Sequence, residues 1–573
     1  MYLKKSLNRK TGRTYLTIVH GYRDEFGKAK SKTIQSIGYL DELEKEYPDP
    51  IEHFTKVAKQ MEQEMAENDY LTIQVRSDEK ISKGSVNRKN YGHIVFSKIY
   101  HELELDRFLN NKRRHEPFKY NTEAIMRLLV FCRLLYPASK KKTVELKDRF
   151  FDHFNFTLDD VYHSLSHFSK ISKDLQRHIH EKIVTQYGRE SSLVYYDVTN
   201  YYFEIDKDDE MRKKGASKEN RHSPIVQMGL ALDRMGIPIT FKLFPGNTHD
   251  SVTYRPTMRD LKKEYGIDRV IVVADKGLNS GDNIAFSTVL GDGYIFSKSI
   301  RGADEEFKAY VLDETGYEES DGYKKKSRVI PTTIQVTTSH VGTKKSRTKV
   351  PIDQKQVVFY SEKYAIRAKK QREELLTKAA DLIANPSKYK KSTSYGAAGY
   401  VKNLVFDKES GEIIDAAAQQ WSLDLDKIRE EEKYDGYYAI VTSELDETDA
   451  NIIDAYRGLW KIEESFKITK STLDARPVYL SRQDHINAHF LICFLALTIG
   501  RLTEIRMNHK YPLHRIIETL RAVSGSHLNQ NLYVFDYVDE ITEDMNKIFG
   551  LNFDQKFMTL LEIRKNMGMA KKA

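Results

Sequence analysis

Cysteine is almost absent from this sequence: Cys132 and Cys493 are the only two in 573 residues. They stand 361 positions apart, and neither belongs to a CxxC or Cys/His cluster. That excludes a disulfide framework and a zinc-finger type of site, and it fits a reducing cytoplasm. Long hydrophobic runs are also missing. The longest, FLICFLALTIG at 490–500, lies between His489 and Arg501. Eleven residues fall short of the roughly 20 that a membrane-spanning helix needs, so a buried core helix is expected and no membrane partner. The N-terminus is basic but lacks an apolar segment of the signal-peptide kind. No P-loop, HExxH or local Ser-His-Asp motif occurs, and there is no internal repeat.

Charge is plentiful but nearly balanced. The chain has 92 Lys and Arg against 83 Asp and Glu, a net of +9. Its distribution says more than its sum. The window 321–370 alone holds 13 Lys or Arg and 3 Asp or Glu, a net of +10. It reads either as a surface for a polyanion or as a solvated face.

Along the chain, alternation in RTYLTIVHGYR and AKSKTIQSIGYL predicts a hairpin over 13–40, turning at DEFGK. A helix is expected over about 51–67 and a polar linker over 77–90. Residues 94–188 read as helical, with helices near 123–136, 141–150, 158–168 and 172–187. Basic clusters Lys112–Arg114 and Lys140–Lys142 fall at helix ends. His163 and His167, four apart on one of these helices, read as a surface pair sooner than a metal site.

The middle changes character. SSLVYYDVTNYYFEI (191–205) is rich in strand-forming residues. Two further strands flank the turn at 234–236, a helix fits 251–265, and RVIVVA (269–274) is a continuous apolar run typical of a strand buried on both faces. A helix at 280–290 and a strand at 293–299 follow. Three strands, helix, strand, helix, strand is the order of a ribonuclease-H-like α/β core. Alternating segments at 332–342 and 355–366 then suggest a β-rich insertion. Helices are expected at 449–472 and 484–506, and a helical segment to the end. The expected divisions are 1–90, N-terminal hairpin and helix; 91–190, helical and DNA-binding; 191–300, the first stretch of the catalytic core; 301–445, β-rich basic insertion; 446–510, the remainder of the catalytic core; and 511–573, helical.

Three carboxylates stand out. Asp197 lies in the middle of an apolar strand, where a charge is costly unless paired or metal-bound; the plainer reading is an exposed edge position. Asp275 directly follows RVIVVA, beyond the carboxyl end of a strand, where ligands bind in open α/β sheets; the plainer reading is a turn or cap. Glu463 shares a helical stripe with Tyr456 and Lys470, beside an apolar stripe of Leu459, Ile462, Phe466 and Leu473. That phase favours Glu463 over Glu464, which is expected to point further towards solvent. The plainer reading is a surface pair of Glu463 with Lys467. Three such carboxylates could hold two divalent ions, and hard oxygen ligands suit Mg²⁺ or Mn²⁺.

DVTNYYFE, FPGNTHD, VADKGLNS, DGYYAIVTSEL and YRGLWKIEESFKITKSTLDARPVY together resemble the DDE transposases of bacterial insertion sequences, of the type with a β-strand insertion between the second Asp and the Glu. The resemblance covers about 190–300 and 435–480. It implies Asp197, Asp275 and Glu463 as catalytic and metal-binding residues. Tyr456 and Lys470 would contact phosphates. Leu459 stands where that family usually has Arg, so Arg457 or Lys467 would take over its contact. Trp421, the only Trp of the insertion, would stack on a displaced base, although a packed Trp is the plainer reading. The resemblance also implies nicking of double-stranded DNA at transposon ends, attack of the freed 3′-OH on target DNA, a homo-oligomeric (dimeric) synapse and a cytoplasmic, nucleoid-associated protein. A DNA-binding protein of transposase descent without catalysis, or a metal-dependent nuclease without strand transfer, are the competing readings.

Overall fold

The computed structural model describes residues 1–8, 11–23, 28–67, 80, 82–114, 116–215, 223–320, 322–341, 344–390, 393–394, 396–407, 412–414, 421–528 and 531–572. The turn at 24–27 and most of 77–81 in the expected linker lie outside them. The chain forms two compact units, 1–102 with 144–155 and 503–573, and 103–143 with 156–502.

In the first unit the expected hairpin is present, with Thr14–Arg23 pairing antiparallel to Ala29–Tyr39. A further strand, Tyr2–Leu7, pairs on its other side. A helix, Pro50–Glu67, follows. The C-terminal segment is not purely helical. Ser524–His527, Leu532–Phe535 and Phe557–Thr559 join Arg88–Asn90 in a four-stranded sheet. The side chain of Asn90 anchors that junction by donating to the carbonyls of Leu520 and Val523.

The second unit holds a mixed α/β fold around a nine-stranded sheet. Its first three core strands, Leu193–Tyr202, Ile225–Asp233 and Pro238–Pro245, form an antiparallel meander. The fourth, Ile271–Ala274, runs parallel to the first, and the fifth, Gly293–Lys298, runs parallel to the fourth. Across the sheet the order is therefore third, second, first, fourth, fifth. Helix Asp250–Tyr265 lies under one face. Tyr196 and Tyr254 are fully buried there, in a cluster with Val198, Val272, Ala274 and Phe296.

The segment after the fifth strand is more varied than a β-rich insertion. Two long strands, Tyr323–Val341 and Lys344–Tyr360, form a hairpin. Its base pairs with Tyr437–Thr442, which in turn pairs with the fifth core strand, so the hairpin continues the core sheet. Helices Glu305–Leu312, Glu362–Ala384 and Leu425–Glu432 make up much of the rest. Part of the basic charge is paired. Lys324 pairs with Glu314, Arg328 with Glu306 and Lys355 with Asp449, while Arg347 and Lys349 remain exposed.

The apolar run at 490–500 sits within a 24-residue helix, Gln483–Arg506, long enough to cross a bilayer. Run length alone was thus a poor argument. What marks it as a core helix is that 94% of its apolar window is buried.

Candidate active site

Strand register brings the two aspartates together. Tyr195 lies opposite Val273 in a parallel pair. Two residues on, Asp197 comes level with Asp275, whose backbone is still extended (φ −77°, ψ 170°). Neighbouring strands lie about 4.8 Å apart, and in-register residues of parallel strands project to the same face. The next strand repeats the alignment: Ala274 lies opposite Phe296, which sets Ser297 beside Asp275.

The face is settled by the flanking tyrosines. Tyr196 turns to the far side and donates to Thr253 Oγ1 at 2.9 Å. Tyr195 and Tyr201 turn the other way, towards the segment that carries Glu463. The Tyr195 hydroxyl packs on Gly458, where a Cβ would fall 1.9 Å from it and would displace the ring. Tyr201 bonds Thr469 Oγ1 at 2.7 Å. Asp197, between them, is half-buried on this covered face.

Asp275 is exposed and well oriented. Its Oδ1 accepts from Ser297 Oγ at 2.9 Å and from the Lys276 amide at 2.6 Å. The plainer reading as a cap is thus also realised, because Asp275 caps the short 3₁₀ turn Lys276–Leu278. Ser297 was not singled out from sequence. The available signal was a serine ending the apolar strand GYIFS. Tyr456 is near enough to Asp275 and Glu463 to feel both charges. Burial pushes its phenol up to about 12; a hydrogen bond with Ser297 opposes that, and the charges of Asp275 and Glu463 add to it. Tyr438, 41% exposed, also feels the charge of Asp275.

The single helix expected over 449–472 is three pieces: Asp449–Arg457, Trp460–Lys467 and a π-helical turn, Ile468–Thr472. Gly458 and Leu459 keep helical dihedrals, so Tyr456 and Glu463 stay on one side. The π turn then shifts the phase. It carries Lys470 over the Tyr201 ring, 5.8 Å from its centroid.

The expected contrast between Glu463 and Glu464 is reversed. Glu463 is exposed and makes no ion pair among the described residues, whether with Lys467 or another cation. Glu464 is half-buried and pairs with Arg501 at 2.8 Å. The long helix Gln483–Arg506 covers the side that helix phase alone left to solvent. Arg501 also reaches Ser465 Oγ at 3.1 Å. Glu464 is thus committed to structure and Glu463 is not.

The other expected DNA contacts separate. Arg457 is exposed and lies over Tyr323 at the base of the hairpin, 4.4 Å from the ring centroid. Lys467 is exposed. Leu459 is 8% exposed and packs inward. Trp421 is half-buried against the cluster of Ala379, Leu382 and Tyr400, as a packed Trp would be. His167 is buried and turns inward towards Glu116, 3.6 Å away, so the expected surface pair with exposed His163 does not form.

A family model described as a transposase DDE domain matches residues 191–499, more than half of the chain. A second, for the N-terminal domain of IS1634 family transposases, matches residues 3–73. The chain belongs to the DDE transposase family. No curated protein matches it. Among solved structures, a Mos1 transposase paired-end complex with left transposon end is 12% identical over 42% of this chain and 66% of that one, just under two thirds. Its TM-score of 0.14 carries no argument about the fold.

DDE transposase domains use divalent metal ions, and the oxygen donors of Asp197, Asp275 and Glu463 suit such ions. The donor chemistry fits. The gathering is incomplete: among the described residues no three His, Cys, Asp or Glu side chains come together as a ligand set. Strand register sets the two aspartates level with each other, and the charges of Asp275 and Glu463 both reach Tyr456.

Proposed function

We propose that this DDE transposase cleaves DNA at the ends of its element and joins the freed 3′-OH to target DNA, with Asp197, Asp275 and Glu463 holding two Mg²⁺ or Mn²⁺ ions. The alignment of Asp197, Asp275 and Ser297 at one level of three parallel strands carries this reading. It supplies two carboxylates on a face that the Glu463 segment covers, in a ribonuclease-H-like strand order. Ions bound there would activate the attacking oxygen and stabilise the leaving one.

The chain's own contribution is positioning and charge, which is most of phosphoryl-transfer catalysis. Ser297 Oγ and the Lys276 amide fix the Asp275 carboxylate. Tyr456 donates its phenol proton towards a phosphate oxygen and stays neutral at physiological pH. Lys470, Lys467 and Arg457 offset backbone charge along the same segment, and exposed Arg347 and Lys349 extend that field. DNA affinity should therefore fall with salt. A dimer is the smallest assembly that holds two element ends, and a nucleoid location follows from the substrate.

The test is incubation of the full chain with Mg²⁺ and DNA bearing the ends of its element. Cleaved and joined products are expected. Binding without Mg²⁺-dependent cleavage would leave a DNA-binding protein of transposase descent, and cleavage without joining would leave a nuclease.

A further inference from the structure

Of the three consecutive lysines 140–142, one is not a surface residue. Lys140 is 6% exposed, whereas Lys141 and Lys142 are exposed. Its Nζ lies 3.4 Å from Nδ1 of His489, itself buried. His489 Nε2 lies 3.0 Å from the Ala475 carbonyl and so must donate to it, while Nδ1 faces the lysine, which can donate to it; burial and the charges of Lys140 and Arg133 favour the neutral ring. Beside them Arg133, also 6% exposed, donates to the carbonyls of Leu473 and Asp474 at 3.0 Å each. Its Nε finds no acceptor among the described residues.

Lys140, Arg133 and His489 line a cavity of about 160 Å³, with Tyr162, Asp474 and Tyr479 among its other walls. Tyr479 is 72% exposed, so the mouth reaches solvent. No carboxylate among the described residues pairs with Lys140 or Arg133, and Asp474 meets Arg133 only through its main chain. Two buried cations without a counter-charge are costly. The room beside them is several times the ~30 Å³ of a water molecule.

We infer that this cavity is a binding pocket for a phosphate group, held by Lys140 and Arg133. Its place favours a backbone phosphate of bound DNA. The carbonyls that Arg133 holds end the π turn bearing Lys470. Phe490, next to His489, packs on Tyr201 at 4.8 Å between centroids, and Lys470 lies over that same Tyr201 ring. A strand running from Glu463 past Lys467 and Lys470 would arrive at this mouth. That source rests on the proposed function; the pocket does not.

The test uses the full chain and Lys140→Met, which keeps the apolar stem. Inorganic phosphate should bind the unaltered chain and bind the variant at least tenfold more weakly. With end DNA, the variant should bind about tenfold more weakly, and its dependence of log K on log salt should be about one unit shallower. A methylphosphonate at one backbone position should weaken the unaltered chain and leave the variant unchanged. Loss of phosphate binding alone would assign the pocket to free phosphate. No difference in either arm would overturn the inference. Should Lys140→Met not fold, the unaltered chain decides: phosphate or DNA must protect Lys140 from reductive methylation, and no protection sinks the idea. Asp197→Ala should lose cleavage and keep phosphate binding, which separates this pocket from the reaction centre.

Discussion

The two aspartates and the glutamate of the site are held by different kinds of structure. Asp197 stands on a strand and Asp275 directly past the end of its parallel neighbour, and continuing the register of Tyr195 with Val273 sets them at one level and on one face. Glu463 stands on a short helix that follows Gly458 and Leu459, both helical in their dihedrals, and that leads into a π turn. A sheet position is fixed by neighbours on both sides. A helix position depends on local phase, and each irregularity moves it. In the proposed site the aspartates are therefore held by the sheet, whereas Glu463 is held only by its own helix.

The largest effects should follow from breaking the fixed half. Asp197→Ala and Asp275→Ala should each lower cleavage by ~10³-fold or more, about 4 kcal/mol of barrier, with end-DNA binding retained. Single-turnover cleavage and a binding assay read the two quantities. Cleavage within tenfold of the unaltered chain in either variant would remove that residue from the site.

The sharper comparison is between adjacent glutamates. Glu463→Gln should lose cleavage by a similar factor and keep its unfolding midpoint. Glu464→Gln should keep cleavage within a fewfold and lose about 1–2 kcal/mol of stability, because it removes the charge from the Glu464 end of the pair with Arg501. The opposite pattern would transfer the third catalytic role to Glu464. Ser297→Ala is milder. It removes one hydrogen bond that orients Asp275, and cleavage should fall about tenfold. An unchanged rate would mean that the Lys276 amide alone sets the carboxylate.

The same contrast explains what could be read from sequence. Asp197 and Asp275 were legible because apolar alternation and a continuous apolar run each reveal a strand, and a charge inside or just after one is conspicuous. The parallel pairing that makes them neighbours was not, because it depends on residues some 80 positions apart. The burial of Glu464 was hidden for the same reason: its partner Arg501 belongs to another helix. Tyr2–Leu7 and the C-terminal strands left weak traces. YLKKSL is mostly exposed, and Ser524–His527 is a strand only because Arg88–Asn90 and Leu532–Phe535 flank it. The hairpin 323–360 was legible as strand, but not as an extension of the core sheet, and its charge sum concealed how many lysines and arginines were already paired.

The smallest expected effect concerns pH and the buried cations beside the helix end. Burial, with the charge of Arg133 adding to it, pulls the Lys140 ammonium down to about 7. The groups facing it are Arg133, His489, Cys132, Cys493, Asp474, Tyr162 and Tyr479. His489 is held well below its usual range, and burial pushes Cys132 up to about 12 and Cys493 up as well, so these stay neutral near pH 7. The unfolded chain binds a proton on this lysine up to about pH 10.5, the folded chain only up to about 7. Between those values the unfolded state carries more protons, so this group's contribution to stability should rise with pH. Anion binding should run the other way, since it favours the charged lysine. Sulfate, whose charge does not change over this range, should bind more tightly at about pH 6 than at about pH 8, and the difference should vanish in Lys140→Met. Equal sulfate affinity at both values in the unaltered chain would show that Lys140 keeps its charge without an anion, and the pocket would then owe its cation to an unrecognised internal partner.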